Sequence, residues 1–424
     1  MIKQYLEYMT LSPLPEEIIV RCSRSRSGPE IPAKKGSNVL DRNFLFEFFS
    51  AEEMQKIRQI IFKGQISHEA FSGCHKDISR NRDESVIGWI EDTTLHIEAD
   101  GKVIAPPDCG SLFNHMDHVE AIMFNDAFDT GQVISMDYMF EECENLSVLD
   151  LSGFDTGQVT GMASMFEGCR NLTELDLSGF NTSEVTDMSF MFAGCVKLTE
   201  LDLSSFDTWQ VENMSGMFLR CINLTELDLS SFDTEQVTTM CSMFTRCMSL
   251  EKLNLSSFDT GNVTDMSCMF AECMGLTELD LSSFDTGSVS DMSCMFEKCE
   301  KLEELNLSSF DTGNVSSMSF MFEDCESLTE LDLSSFDTSE VTDMNCMFSG
   351  CESLTELDLS SFDTSKVTDM RFMFSWCESL EKLDLSSFNI EKVINMENVF
   401  FDCYSLTEDQ LQAARNVFSR KKTD

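Results

Sequence analysis

The stretch LTELDLSSFDTSKVTDMRFMFSWCES, from Leu354 to Ser379, is one copy of a unit that recurs every 26 residues. The unit repeats without insertion or deletion from about residue 128 to residue 403. Such an array grows by stacking equal units, so that neighbouring units bury one continuous core. The repeat, and not the chain length, therefore determines the predicted architecture.

The spacing of apolar residues within one copy predicts a strand followed by a helix. Leu276, Leu279 and Leu281 follow the leucine-rich pattern L-x-x-L-x-L, in which Leu279 and Leu281 point inward on a strand of period two. Four later residues are spaced i, i+3, i+4 and i+7, as on one face of a helix. Those four residues are Met292, Met295, Phe296 and Cys299. We therefore predict an α/β fold, a right-handed leucine-rich-repeat solenoid with a short strand and a short helix in each coil, capped at both ends.

The array divides the chain into four predicted regions. Residues 1–40 are an N-terminal segment and polar linker, and residues 41–126 are an α/β N-terminal cap with degenerate coils. Residues 127–406 are the leucine-rich-repeat solenoid, and residues 407–424 are a C-terminal capping helix. Apolar residues within 57–62 have the spacing i, i+3, i+5 that recurs in the repeats, which indicates an atypical first coil.

Local signals support both caps. Two alternating apolar runs within residues 85–105 predict a β-hairpin followed by a third short strand. Ser50 with Glu53, and Thr407 with Gln410, have the spacing of a capping box at a helix start. A solenoid needs such covers because its terminal coils would otherwise expose the core.

The negative charge is concentrated in the repeats. The net charge is −46, of which residues 1–100 contribute only −3 (13 basic and 16 acidic residues), leaving −43 for the remainder. Nucleic acid is not expected as a partner, because its phosphates would be repelled. No apolar run is long enough to span a membrane. We predict a monomer whose partner is a protein or peptide of cationic character.

The outward strand positions form the candidate binding face, because the strands of leucine-rich solenoids line the concave surface. One position holds Glu or Lys and the other holds Asp or Asn. A solvated, solubilising surface is the alternative interpretation. The candidate residues are Glu174, Asp176, Glu200, Asp202, Glu226, Asp228, Lys252, Asn254, Glu278, Asp280, Glu304, Asn306, Glu330, Asp332, Glu356 and Asp358.

Two further ladders admit a structural and a chemical interpretation. Cysteines recur every 26 residues from Cys143 to Cys403, and we interpret them as buried, reduced packing residues, with metal binding or disulfide bridging as the alternative. The Phe-Asp-Thr segments are interpreted as repeated Asx or Ser/Thr turns, with divalent cations on stacked carboxylates as the alternative. We predict neither a cofactor nor a resident metal.

Catalysis is not expected. The sequence contains no Gly-x-Ser-x-Gly, P-loop or His-Glu-x-x-His motif. The abundant serines have no accompanying histidine, which a nucleophilic site would need. His115 and His118, with Cys109 and Asp117, are a further candidate metal site, which lies ahead of the regular repeats.

The unit LTxLDLSSFDTSxVTDMSxMFxGC resembles the repeat of BspA-like leucine-rich-repeat surface proteins, including the Mycoplasma-type lipoprotein group. The segment SVIGWIEDTTLHIEADGKVIAPPDCGSLF resembles the one that precedes the array in that family. The resemblance implies a non-enzymatic adhesion or protein-binding function at the cell surface or outside the cell. Neither a secretory signal nor an LPxTG wall anchor is visible, so a cytoplasmic location is the alternative.

We therefore predict a non-enzymatic repeat protein that presents an acidic concave face to a protein partner. The first alternative is a structural spacer or surface-display solenoid without a discrete site. The second is a metal-binding or redox ladder of cysteines.

Overall fold

The computed structural model describes residues 38–67 and 75–419, and this part of the chain contains three helices and fourteen strands. The predicted segment 1–40 thus lies outside the described residues except for residues 38–40. The helices are α1 (Phe44–Phe48), α2 (Ala51–Met54) and α3 (Glu408–Ser419). The strands are β1 (Gln59–Lys63), β2 (Lys76–Asp77), β3 (Val86–Glu91), β4 (Thr94–Ala99), β5 (Val103–Ile104), β6 (Ala121–Met123), β7 (Phe128–Asp129), β8 (Val148–Leu149), β9 (Glu226–Asp228), β10 (Lys252–Asn254), β11 (Glu278–Leu279), β12 (Glu304–Leu305), β13 (Glu356–Asp358) and β14 (Lys382–Asp384).

The N-terminal strands extend the strand ladder of the repeats. β1 pairs in parallel with β4 and β6, and β6 pairs in parallel with β8, in a sheet of order β2-β3-β4-β1-β6-β8. The β3–β4 hairpin is confirmed in its predicted register, with Ile90 opposite Leu95 and Gly88 opposite Ile97. Because β1 lies beside β6, residues 57–62 occupy the place of the atypical first coil that their spacing predicts.

Within the repeats, each short strand pairs in parallel with the equivalent residues one coil later. Glu226 and Asp228 of β9 lie opposite Lys252 and Asn254 of β10, and β11–β12 and β13–β14 pair in the same way. A second ladder of single-residue parallel bridges runs coil by coil from Asp108 to Asn395. Together the two ladders hold the 26-residue coils in a leucine-rich-repeat-like solenoid.

The short helix predicted for each coil is wrong. Between α2 and α3, the described residues contain no helix, and consecutive turns take its place. Cys294 and Lys298 have φ values of 57° and 56°, a left-handed conformation that an α-helix excludes. The N–H groups of Cys294 and Phe296 donate to the carbonyls of Ser319 and Met321 in the next coil, at 2.8 and 3.0 Å. Hydrogen bonds between stacked coils thus replace those that a helix would make along the chain.

The apolar side chains of the predicted helix are nevertheless buried, as expected. Met295, Phe296 and Cys299 are fully inaccessible to solvent. Phenylalanine rings of successive coils, from Phe113 to Phe400, stack face to face with centroids 5.6–5.8 Å apart. Each fully buried ring contributes roughly 1.5–3 kcal/mol relative to exposure, so this column is a main source of cohesion between coils.

The helix α3 follows the last coil. The Thr407 hydroxyl accepts from the Gln410 N–H at 3.3 Å and the Gln410 side-chain oxygen accepts from the Thr407 N–H at 2.9 Å, which confirms the capping box. Phe418 packs edge to face on Phe400, with centroids 5.6 Å apart, so α3 covers the end of the phenylalanine column. Of the described helices, none has the length and apolar character needed to cross a membrane.

Candidate functional site

The sixteen residues predicted for the binding face are all exposed. In β9 the side chains of Glu226 and Asp228 face solvent, while Leu227 between them is buried. The same alternation recurs in β13, where Glu356 and Asp358 are exposed. The strand period thus places one Glu or Lys and one Asp or Asn of each coil on a common surface.

Most of this surface forms one groove, hereafter the acidic groove, of about 1290 Å³. Half-buried leucines such as Leu201 and Leu253 lie between the polar residues on its floor. The remaining four predicted residues, on the coils of Glu330 and Glu356, do not line the groove. The predicted residues that line it are Glu174, Asp176, Glu200, Asp202, Glu226, Asp228, Lys252, Asn254, Glu278, Asp280, Glu304 and Asn306.

The Asp or Asn position has a structural role that the sequence reasoning missed. Asp202 Oδ1 accepts a hydrogen bond from the Ser204 N–H at 2.9 Å, an Asx turn that ends the strand segment. Hydrogen bonds from the Ser204 hydroxyl and amide lower the pKa of the Asp202 carboxyl below its ordinary value. Asn254 makes the same bond to the Ser256 N–H at 3.2 Å. Asn254 therefore preserves the turn, removes the charge and donates a hydrogen bond from its side-chain amide to Asp228 Oδ1 in the preceding coil at 2.9 Å.

The Glu or Lys position has no such task, and it sets the charge of the groove. Glu278 lies directly opposite Glu304 in the parallel register of β11 and β12, a like-charge pair that the surrounding solvent must screen. Where Lys replaces Glu, it pairs with the preceding coil: Lys252 Nζ lies 3.8 Å from the carboxylate of Glu226. Carboxylates at this position that have no Lys on the adjacent coil, such as that of Glu200, are thus free to meet an incoming cation.

The Phe-Asp-Thr turns confirm the structural interpretation of that ladder. The buried Thr260 hydroxyl donates to the carbonyl of Asp285 in the next coil at 2.7 Å and accepts from its N–H at 2.9 Å. The Asp285 carboxylate in turn accepts from the Gly287 N–H at 3.0 Å, which is the predicted Asx turn. Each turn is therefore bonded to the next, and its carboxylate is already committed to a backbone amide.

The cysteine ladder lies in the interior. Cys299 is fully buried, and its thiol donates to the Phe270 carbonyl of the preceding coil at 3.3 Å. The same bond recurs at every ladder position from Cys143 to Cys403. Burial raises the pKa of the Cys299 thiol to about 12. The ladder cysteines thus serve as packing groups and weak donors, which agrees with the structural interpretation.

The N-terminal cluster is only partly brought together. His115, Asp117 and His118 line a second cavity, of about 370 Å³, whereas Cys109 is buried elsewhere with its thiol donating to the Pro106 carbonyl. In the described ranges, no group of three or more His, Cys, Asp or Glu side chains is arranged to hold a metal ion.

The sequence matches a family described as "Mycoplasma protein of unknown function, DUF285". The match covers most of the chain, in overlapping segments at residues 108–225, 194–305, 274–357 and 327–419. Among curated proteins, no sequence matches the chain.

Solved structures of leucine-rich-repeat proteins are similar to the chain at low sequence identity. A leucine-rich cell-surface protein from Faecalibacterium prausnitzii has 16% identity and a TM-score of 0.35, with 84% of this chain and 90% of that chain covered. A leucine-rich-repeat protein from Eubacterium ventriosum has 16% identity and a TM-score of 0.33, with 79% and 96% covered. The leucine-rich-repeat protein of T. pallidum has 18% identity and a TM-score of 0.28, with 49% and 76% covered.

Proposed function

Because the chain belongs to the Mycoplasma family DUF285, whose function is unknown, we propose a function from the acidic groove itself: non-enzymatic binding of a cationic protein or peptide. The observation that carries the proposal is the alignment of exposed Glu carboxylates on neighbouring coils of the groove, a series that Lys252 interrupts between Glu226 and Glu278. In this reading the protein is a BspA-like adhesion or interaction protein, as the repeat sequence implies.

The geometry favours an elongated cationic ligand. Equivalent residues on neighbouring coils are about 4.8 Å apart, the strand spacing. Glu174, Glu200 and Glu226 thus form a first acidic block, and Lys252 separates it from Glu278 on the next coil. A ligand lying across the strands would contact one carboxylate per coil, and the leucines on the floor would receive the apolar stems of Lys or Arg side chains.

Variants of the Glu position provide the sharpest test. We expect Glu200→Lys with Glu226→Lys to weaken binding of an oligolysine peptide of about ten residues by about tenfold or more, measured by fluorescence anisotropy. Glu212→Lys is the matched control, because Glu212 is exposed but does not line the groove. The affinity should also fall as salt is raised, since rim charges are screened.

Asp228→Asn separates the charge from the turn. Asn keeps the bond to the Ser230 N–H that Asp228 makes at 3.0 Å, so the variant should retain its stability while losing one groove charge. Equal losses of affinity in the groove variants and in Glu212→Lys would refute a defined binding face. That result would instead support the spacer interpretation.

A further inference from the structure

A row of apolar side chains interrupts the acidic surface on the side of the ladder cysteines. In most coils the residue that follows this cysteine is charged, as at Glu144, Arg170, Glu300 and Glu326. In four consecutive coils it is apolar. We call these residues the apolar strip: Val196, Ile222, Met248 and Met274.

The strip is open to solvent. Met248 is 37% exposed, and Val196, Ile222 and Met274 are half-buried. Because the coils are about 4.8 Å apart, the four side chains span roughly 14 Å in one row. Exposed apolar groups that line up in this way are typical of interaction surfaces.

Cations flank the strip on a chain that is otherwise strongly acidic. Lys197 follows Val196, Arg220 precedes Ile222 by two residues, and Lys301 lies in the coil after Met274. All three side chains are exposed, and none of them forms an ion pair with a residue in the described part of the chain. These charges are therefore available to a partner, unlike that of Arg246, which bonds Glu272 at 2.9 Å.

From this arrangement we infer that the apolar strip is a second binding surface, which docks an acidic amphipathic α-helix of a partner protein. A helix presents one apolar position per turn of 5.4 Å, close to the coil spacing, so about ten helical residues cover the strip. Its flanking carboxylates meet Lys197, Arg220 and Lys301. This surface has the opposite charge preference to the acidic groove.

A helix is favoured over an anionic membrane because the chain's net charge of −46 repels an extended anionic surface. The helix, in contrast, places its few carboxylates only beside the strip. The net charge also disfavours a second copy of the chain. Both alternatives are outcomes of the test below.

The probe is a labelled synthetic peptide of about 20 residues, rich in Ala so that it forms a helix, with Leu once per turn and a few Glu residues beside the Leu row. We expect it to bind the full chain in fluorescence anisotropy, and a scrambled peptide of equal composition to bind at least tenfold more weakly. Arg220→Glu and Met248→Glu should each reduce the affinity by about tenfold. Glu300→Leu, which lengthens the apolar strip by one coil, should raise the affinity for the peptide.

Lys392→Glu is the matched control, because Lys392 is an exposed cation outside the strip. Its affinity for the peptide should equal that of the parent, as should the affinity of Glu200→Lys/Glu226→Lys in the acidic groove. Circular dichroism of each variant confirms that the fold is retained. The peptide should bind at 0.15 M salt at least as well as at low salt, because at 0.15 M the Debye length of about 8 Å screens the long-range repulsion between the chain and the peptide.

The inference is overturned if the peptide does not bind, if the scrambled peptide binds equally, or if Lys392→Glu loses as much as Arg220→Glu. Sedimentation of the chain with phosphatidylserine vesicles, abolished by Met248→Glu, would assign the strip to a membrane instead. Self-association in sedimentation velocity that Arg220→Glu abolishes would assign it to a second copy. If oligolysine fails to bind while the helical peptide still binds, only the proposed function of the acidic groove is refuted.

Discussion

Replacing Thr260 by Val tests whether the threonine ladder holds the coils together. The Thr260 side chain is fully buried, and Val reproduces its shape without the hydroxyl. The substitution removes the bonds of 2.7 and 2.9 Å to the carbonyl and N–H of Asp285. Leaving a buried polar group unpaired costs about 1–3 kcal/mol, so the two groups together predict a loss of about 2–6 kcal/mol.

Thr264→Val in the same coil is the control. Thr264 is exposed, and its hydroxyl makes a single bond, to the Thr238 carbonyl at 3.1 Å. Its loss should cost less than about 1 kcal/mol, because water replaces the partner. Thr260→Ser, which keeps both bonds of the buried position, should fall between the two.

Urea unfolding followed by circular dichroism gives the free energy of unfolding for each variant. The slope must stay constant across the series, because a repeat array can lose cooperativity when one interface is weakened. If the free energies of unfolding of Thr260→Val and Thr264→Val agree within about 0.5 kcal/mol, the buried hydroxyl of Thr260 is not a source of stability and the reasoning is refuted.

Three further perturbations follow from the core and its buried acid. Phe296→Ala, in the middle of the ring column, should lower the free energy of unfolding in urea by about 3–5 kcal/mol. Phe400→Ala should lower it clearly less, because Phe400 is half-buried at the end of the column. Equal losses would contradict the role of stacking. Cys299, whose pKa is raised to about 12, should not react with Ellman's reagent at pH 8 until the chain is unfolded, and rapid reaction in the native protein would disprove its burial. Glu323 is buried, and its Oε2 accepts no hydrogen bond from any described residue. Burial raises the pKa of its carboxyl well above 4.5. The contribution of Glu323 to stability is therefore present at low pH and is lost as the pH rises from 4.5 toward the pKa of the folded state. In unfolding measured from pH 4 to 8, the free energy of unfolding of Glu323→Gln relative to the parent should therefore increase by up to about 1.4 kcal/mol for each pH unit above 4.5. A difference between the two chains that does not change with pH would contradict this.

The repeat period and the buried residues could be predicted because both depend on spacing alone. A residue such as Phe296 recurs at a fixed interval, so stacking of the coils places it against the equivalent residue of the neighbouring coil. The register of the β3–β4 hairpin followed from apolar alternation in the same way. These features require only that equal units bury their apolar sides.

The local conformation could not be predicted from the same spacing. The pattern i, i+3, i+4, i+7 fits a helix, but it also fits consecutive turns that return the chain to the core every few residues. Residues in the left-handed conformation distinguish consecutive turns from a helix. These residues share no side-chain type, because Ser242, Cys268 and Phe320 all occupy the same left-handed position of the repeat. Bonding to the adjacent coil, a non-local contribution, stabilises this conformation.

The candidate face was predicted in position and only partly in role. Glu and Asp alternate with buried leucines, so their exposure followed from the strand period. The Asx turn of Asp202 was missed, although the serine two residues after each Asp and the replacement by Asn at 254 and 306 are consistent with one. The apolar strip was also overlooked, and its only signal is departure from the charged residue found in other copies.

The hydrogen bonds that replace the helix in each coil give the stack an electrical direction. In the coil of Met292, four N–H groups donate to carbonyls of the following coil, and the pattern recurs along the array. Peptide dipoles that add head to tail produce partial charge at the two ends of an element, as they do in an α-helix. Here the dipoles run across the coils and not along the chain, so the positive end lies at the C-terminal coil.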